Sequence, residues 1–345
     1  MTGTGLAWRR TGSGEPLLLL HGLGSTQDDF AALRPALEAT YDVLAVDLPG
    51  LGVSAPTSRT PTVAALADDL EADLDLVHPD RLHILGTSLG ARLALELAKR
   101  GRALSVVAVA PSGLNAPPER IYQGSVMATT RMLTRLARPV LDGMVTNRAG
   151  RAALLMHLRA RPWQATEEEG RAVARGFADS ADFWRVLWWS VLADLPTGLD
   201  RIDCPVLLRA GNPRLDRRRA DARFLLAVPG SRFESVPFAG HASQSDQPQV
   251  LLRLVREAVR RGRELRPVAR QTSGTDHHEA ASMPSVQAPV PAGRGASAVQ
   301  PVDADDAGEG GEPVCALHLV CPECGRLDSP PGPPCRGCGS RDWDR

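Results

Sequence analysis

Apolar residues along the first 110 positions fall in short continuous runs, Leu17 to Leu20, Val43 to Val46, Leu82 to Leu85 and Ser105 to Ala110. Short unbroken runs of this kind are the mark of strands buried on both faces. Between them, Asp28 to Ala39, Thr62 to Val77 and Leu89 to Arg100 place apolar residues at helical spacing. Strands alternating with helices predict an α/β class fold, a mostly parallel, doubly wound sheet with helices on both faces. The pattern resumes late, with a strand at Pro205 to Ala210, a short one around Arg232 to Val236 and a helix from Val250 to Arg263.

From about Pro117 to Thr197 the strand signal vanishes and several helices follow one another, with Trp163, Phe177, Phe183, Trp184, Trp188 and Trp189 concentrated in the second half. We expect an inserted helical cap; its aromatic stretch, Trp163 to Trp189, reads either as core packing or, since the insertion sits where it could roof a cleft, as the part that selects a small hydrophobic substrate. From about Arg266 to Glu312 the chain is Ala, Pro, Ser, Gly, Gln and Asp without periodicity, which predicts a disordered linker. The expected organisation is a domain over 1–265 with its cap at about 117–197, a linker over 266–312 and a small module over 313–345.

Composition narrows the partners. Of 345 residues 43% are hydrophobic, enough for one large core with extras. The 40 basic side chains balance 40 acidic ones, so net charge points to neither nucleic acid nor an anionic membrane. No apolar run approaches a membrane span and no leader pattern opens the chain, so a cytoplasmic protein without a membrane partner is expected.

The chemistry centres on Gly86-Thr87-Ser88-Leu89-Gly90, which follows the run Leu82 to Leu85 and opens the helix from Leu89. A sharp strand-to-helix turn leaves no room for side chains beside its central serine, so glycines flank it and the hydroxyl stands exposed at the helix N-terminus. An acyl-transfer serine needs a base, an acid that orients the base, and amide donors for the oxyanion. His241, in Gly240-His241 between the last short strand and the last helix, is the expected base. His21-Gly22-Leu23-Gly24 leaves the first strong strand, so the amides of Leu23 and Leu89 are the expected oxyanion donors. His21 is expected to brace its loop, and His83, inside a strand, to be packed there.

Together, His21-Gly22-Leu23-Gly24, Asp47-Leu48-Pro49-Gly50-Leu51-Gly52-Val53-Ser54, Gly86-Thr87-Ser88-Leu89-Gly90 and Gly240-His241 resemble the α/β-hydrolase fold, over about residues 5–263. The resemblance is to cap-bearing esterases, lactonases and carbon–carbon bond hydrolases. It implies that Ser88 and His241 are catalytic and that catalysis needs no cofactor. A serine at position 88, where epoxide hydrolases and haloalkane dehalogenases of this fold carry aspartate, argues against those activities. The family's acid commonly stands three residues beyond a strand-ending glycine; here Gly211 leads to Arg214, and Asp216 is the nearest carboxylate. Asp216, an acid from elsewhere, or a weakened triad are all open from the sequence.

The implied function is a serine hydrolase cleaving an ester, lactone or related acyl bond of a small-molecule substrate. Carbon–carbon bond hydrolysis or acyl transfer by the same residues, and a catalytically weak or inactive binding or scaffold protein, are the alternatives.

Cys321-Pro322-Glu323-Cys324-Gly325 and Cys335-Arg336-Gly337-Cys338-Gly339 form two C-x-x-C-G knuckles ten residues apart. Four thiolates on two such turns suit one tetrahedral ion, and the pair resembles a zinc ribbon; two disulfides or a redox pair are the competing readings. Four cysteines close the coordination shell, so the expected zinc is structural. The basic residues of this module are offset by acidic ones, so a protein partner or a purely structural tail is expected ahead of nucleic acid.

Overall fold

The computed structural model describes residues 5–77, 80–209, 218–234, 236 and 238–265, without the side chains of 218–222. All lie in the first of the chain's two units, Met1–Pro267. The loop of Asp216, the linker over 266–312 and the module with Cys321, Cys324, Cys335 and Cys338 lie outside the described residues.

Seven strands are present among the described residues: β1 (Trp8–Gly12), β2 (Glu15–Leu20), β3 (Tyr41–Val46), β4 (Leu82–Thr87), β5 (Ala103–Val109), β6 (Val206–Arg209) and β7 (Arg232–Glu234). They form one sheet in the order β1-β3-β2-β4-β5-β6-β7. β1 runs antiparallel to β3, with Trp8 opposite Val46, and every other neighbouring pair is parallel. The helices between strands are α1 (Arg34–Glu38), α2 (Val63–Val77) and α3 (Leu89–Lys99); α4 (Pro117–Leu136), α5 (Leu141–Thr146), α6 (Arg148–Leu155), α7 (Glu167–Asp179) and α8 (Phe183–Val186) follow β5 as a cap. After the chain returns to the sheet as β6, α9 (Arg218–Ala227) precedes β7, and α10 (Ser243–Asp246) and α11 (Pro248–Glu264) follow it.

The continuous apolar runs have a simple cause. Leu18 and Leu20 of β2 belong to one apolar cluster with Leu66 and Leu70 of α2 and Leu93 of α3, while Leu17 and Leu19 belong to a second with Leu37 of α1 and Leu251 and Val255 of α11. Alternate side chains point to opposite faces, and both faces are covered, so unbroken apolar runs suit these strands. A central parallel sheet of this kind presents the C-terminal strand ends on one edge, where ligands bind.

Three elements differ from expectation. β1 shows no apolar run because it is an edge strand: Arg9 and Arg10 leave the sheet to pair with Asp28 and Asp42. The helix expected over Asp28 to Ala39 is divided into a 3₁₀ turn, Gln27–Phe30, and α1. Pro35 sets that division, since it fits the first turn of a helix and breaks the interior of one. α9 was not anticipated, although its Phe224 is fully buried.

Candidate active site

Ser88 joins β4 to α3 with φ 52° and ψ −112°, a strained conformation for a residue with a side chain. The turn is over-determined. Ser88 N–H donates to the Val109 carbonyl at 2.8 Å, and its own carbonyl accepts from Arg92 and Ser112. A Cβ on Gly86 would lie 2.4 Å from the Gly90 carbonyl oxygen, and one on Gly90 would lie 2.0 Å from that of Leu20. The two glycines are thus required by backbone approach. Non-glycine residues with positive φ are, among the described residues, Ser88, Ala110 and Phe238. Ser88 and Ala110 line one cavity, at the ends of β4 and β5, and Phe238 stands two residues before Gly240.

That cavity, about 230 Å3, brings Ser88, Leu23 and His241 together. Gly22 lies against the serine, where an added Cβ would sit 3.1 Å from Ser88 Cβ and 3.8 Å from Oγ. Leu89 is the first residue of α3, so its amide has no partner within the helix, while its side chain is wholly in the core.

His21 is fully buried and fixes the adjacent loop. Leu48 N–H donates to its Nε2 at 3.0 Å, so Nδ1 carries the hydrogen and donates to the Gly22 carbonyl at 2.8 Å. Burial pushes its pKa down, with Asp47 and Asp29 acting in the other direction. A trans peptide sets N–H opposite C=O, so this bond also sets the direction of the Leu23 N–H. Asp47 accepts from Gln27 N at 2.7 Å and Val53 N at 3.0 Å, which folds the Asp47–Ser54 stretch around one carboxylate.

The histidine loop is held by the cap. Asp246, almost wholly buried, accepts from Gly240 N at 2.7 Å and Ala160 N at 2.8 Å and pairs with Arg159 at 3.1 Å. Arg159 also reaches Glu169 at 2.6 Å, and Ala242 N donates to the Leu158 carbonyl at 2.8 Å. A Cβ on Gly240 would lie 2.5 Å from the Leu158 carbonyl oxygen, so glycine before His241 serves this close approach. The cap meets the loop after β2 as closely. A Cβ on Gly176 would lie 2.4 Å from the Gly24 carbonyl oxygen, and one on Gly24 would strike the Phe177 ring.

The aromatic expectation needs correction. Of the six residues named, Phe177 lines the cavity, Phe183 is buried behind it at 5.7 Å between ring centroids, and Trp163, Trp184, Trp188 and Trp189 are exposed. The apolar wall comes instead from Val126 and Met127 of α4, Leu155, Leu158, Val173 and Phe177. Exposure decides which aromatic residues can meet a ligand, and the sequence pattern carries no exposure.

Sequence reasoning missed Asp29. It lines the cavity and accepts from Thr87 Oγ1 at 3.4 Å. Burial pushes its carboxyl up, against the stabilising effects of Gln244, His21, Ser25 and Thr87. It thereby touches the elbow, the loop after β2 and the histidine loop at once. His83 is packed, with Nδ1 2.8 Å from Ser105 Oγ. No group of three or more metal-ligating side chains occurs among the described residues, and no described helix is long and apolar enough to cross a membrane.

Residues 17–254 match the alpha/beta hydrolase family. The dihydrolipoyllysine-residue acetyltransferase component of the acetoin cleaving system of Cupriavidus necator is 33% identical over 137 residues, 39% of this chain and 36% of that protein. The chain thus spans about a third of the length of that relative. The pimeloyl-[acyl-carrier protein] methyl ester esterase of Neisseria meningitidis serogroup B is 31% identical over 259 residues, 71% of this chain and 92% of the esterase. The structure of a thermophilic esterase from Thermogutta terrifontis is similar with a TM-score of 0.58 and 22% identity, covering 74% of this chain and 93% of the esterase.

Proposed function

The chain belongs to the alpha/beta hydrolase family, and on that premise we propose that it is a serine hydrolase of esters, lactones or related acyl compounds. The observation that carries the reading is the forced positive φ of Ser88 at the elbow, facing the cavity that His241 also lines. His241 takes the Ser88 proton as Oγ attacks the acyl carbon, and the Leu23 and Leu89 amides receive the oxyanion. The protonated His241 then gives its proton to the departing alcohol. Water, deprotonated by His241, attacks the acyl-enzyme, and His241 returns that proton to Ser88 Oγ as the acid is released. Asp216 is the candidate that orients His241.

The wall of Val126, Met127, Leu155, Val173 and Phe177 suits an apolar acyl or alcohol portion. The relative named as a methyl ester esterase supports ester cleavage. No step requires a cofactor. Turnover of p-nitrophenyl butyrate that disappears in both Ser88→Ala and His241→Ala supports the reading; equal rates in wild type and Ser88→Ala contradict it.

The four cysteines Cys321, Cys324, Cys335 and Cys338 are proposed to hold one structural zinc, on the strength of their spacing and soft thiolate chemistry. A reducing, cytoplasmic setting keeps such thiolates free to bind metal, and the module would then offer a protein partner a fixed surface. Metal analysis of the full chain purified under reducing conditions is expected to give one zinc per chain. None bound would refute the site.

A further inference from the structure

His157 has no part in the proposed reaction, yet it lines the same cavity as Ser88 and His241. It follows α6 in the cap, with Nε2 3.3 Å from Thr130 Oγ1. The Thr130 hydroxyl has a single hydrogen and donates it to the Val126 carbonyl, one turn earlier in α4, at 2.8 Å. Its oxygen can therefore only accept from the ring. Nε2 thus bears the hydrogen and Nδ1 keeps its lone pair. The ring meets Phe177 edge-on, with centroids 6.2 Å apart and planes at 74°, so its orientation is fixed from two sides.

The ring is also neutral. Burial and the neighbouring His241 push its pKa down to about 4. Of the other polar groups on the wall, Asn115 donates to Gln123 at 3.0 Å and Arg159 is held by Glu169 and Asp246, whereas Ser112 Oγ and Gln244 Oε1 are buried there without a partner among the described residues. Among the described residues nothing donates to His157 Nδ1.

We propose that His157 determines specificity, its Nδ1 accepting a hydrogen bond from a hydroxyl or amide N–H on the substrate. The preferred substrates are then acyl compounds that carry such a donor, ahead of plain alkyl esters. This rests on the serine-hydrolase reading of the same cavity. A buried acceptor left without its donor costs binding, which is how one such group discriminates between otherwise matched substrates.

The test uses matched p-nitrophenyl esters: butyrate against 3-hydroxybutyrate, hexanoate against 3-hydroxyhexanoate, and butyrate against N-acetylglycinate. Wild type is expected to favour the donor-bearing member of at least one pair by about tenfold in kcat/KM. His157→Leu removes that preference through KM while plain esters stay within about threefold, and His157→Asn, which retains an acceptor oxygen, keeps part of it. Turnover without preference in any pair, or equal loss for both members in His157→Leu, overturns the proposal. No turnover of any ester overturns the hydrolase reading itself. Long-range nitrogen NMR of the wild-type protein at pH 7 gives an independent readout: a neutral Nε2–H ring is expected, and an Nδ1–H ring or an imidazolium contradicts the assignment.

Discussion

Asp246 Oδ2 accepts the amide hydrogen of Gly240 at 2.7 Å, so a carboxylate five residues beyond His241 closes the loop that presents it. The same oxygen takes Ala160 N, and Oδ1 takes Arg159, which makes the position of His241 dependent on the cap.

Removing one partner of a buried pair leaves an uncompensated charge, at about 3–5 kcal/mol. Asp246→Ala is therefore expected to lower the thermal midpoint by on the order of 10 °C and to reduce kcat/KM. The double variant Asp246→Ala with Arg159→Ala is expected to lose less than the sum of the single losses. Additive losses in a thermal-melt cycle would show that the two do not act as a unit.

At the elbow the argument is steric. Gly90→Ala places a carbon 2.0 Å from the Leu20 carbonyl oxygen and 2.5 Å from that of His21. We expect a loss above about 3 kcal/mol, or no soluble protein. Gly143→Ala in α5 meets nothing within 4 Å and is expected to be neutral or to gain up to about 1 kcal/mol. Chemical denaturation of both reads the contrast directly.

Phe177 lines the cavity, whereas Trp188 is exposed and does not. Phe177→Ala removes a fully buried ring and is expected to cost about 3–5 kcal/mol and to lower kcat/KM for acyl esters. Trp188, 57% exposed and away from the cavity, is expected to tolerate Trp188→Ser within about 0.5 kcal/mol with unchanged ester kinetics. A large kinetic effect of Trp188→Ser would restore the aromatic roof expected from sequence.

The pH dependence has a defined sign. An unfolded histidine binds its proton near about pH 6.5, whereas native His157 does so only at about 4. Between these values the unfolded chain holds more protons, so stability falls as pH drops through that window. His21, also lowered, acts in the same direction, and Asp29, raised by burial, acts against it because the native state takes up its proton first. His157→Leu is expected to flatten the decline of the thermal midpoint between about pH 6.5 and 4, and an unchanged slope would remove His157 from the account.

The sequence discloses what is local. Strand, glycine, serine, glycine and helix at 82–99 are contiguous, and steric demand on the glycines follows from the turn itself. The central strands were legible because burial on both faces leaves an unbroken apolar run. β1 was not, because its Arg9 and Arg10 find partners in Asp28 and Asp42 instead of a core. The clamp between Arg159 and Asp246 joins positions 87 apart, and His157 takes its tautomer from Thr130, 27 residues away. Neither relation leaves a mark in the local pattern. Exposed and cavity-lining aromatics look alike in a hydrophobic pattern, so the pattern alone does not tell the four exposed tryptophans from Phe177.

The central claim is that Ser88 is an activated nucleophile, and covalent labelling by a fluorophosphonate tests it most directly. Intact-mass analysis is expected to show one phosphonyl group on the native protein, mapping to Ser88, with none on Ser88→Ala and labelling of His241→Ala slowed by at least about 100-fold. Equal labelling of native protein and Ser88→Ala, or a label on any other residue, would contradict it.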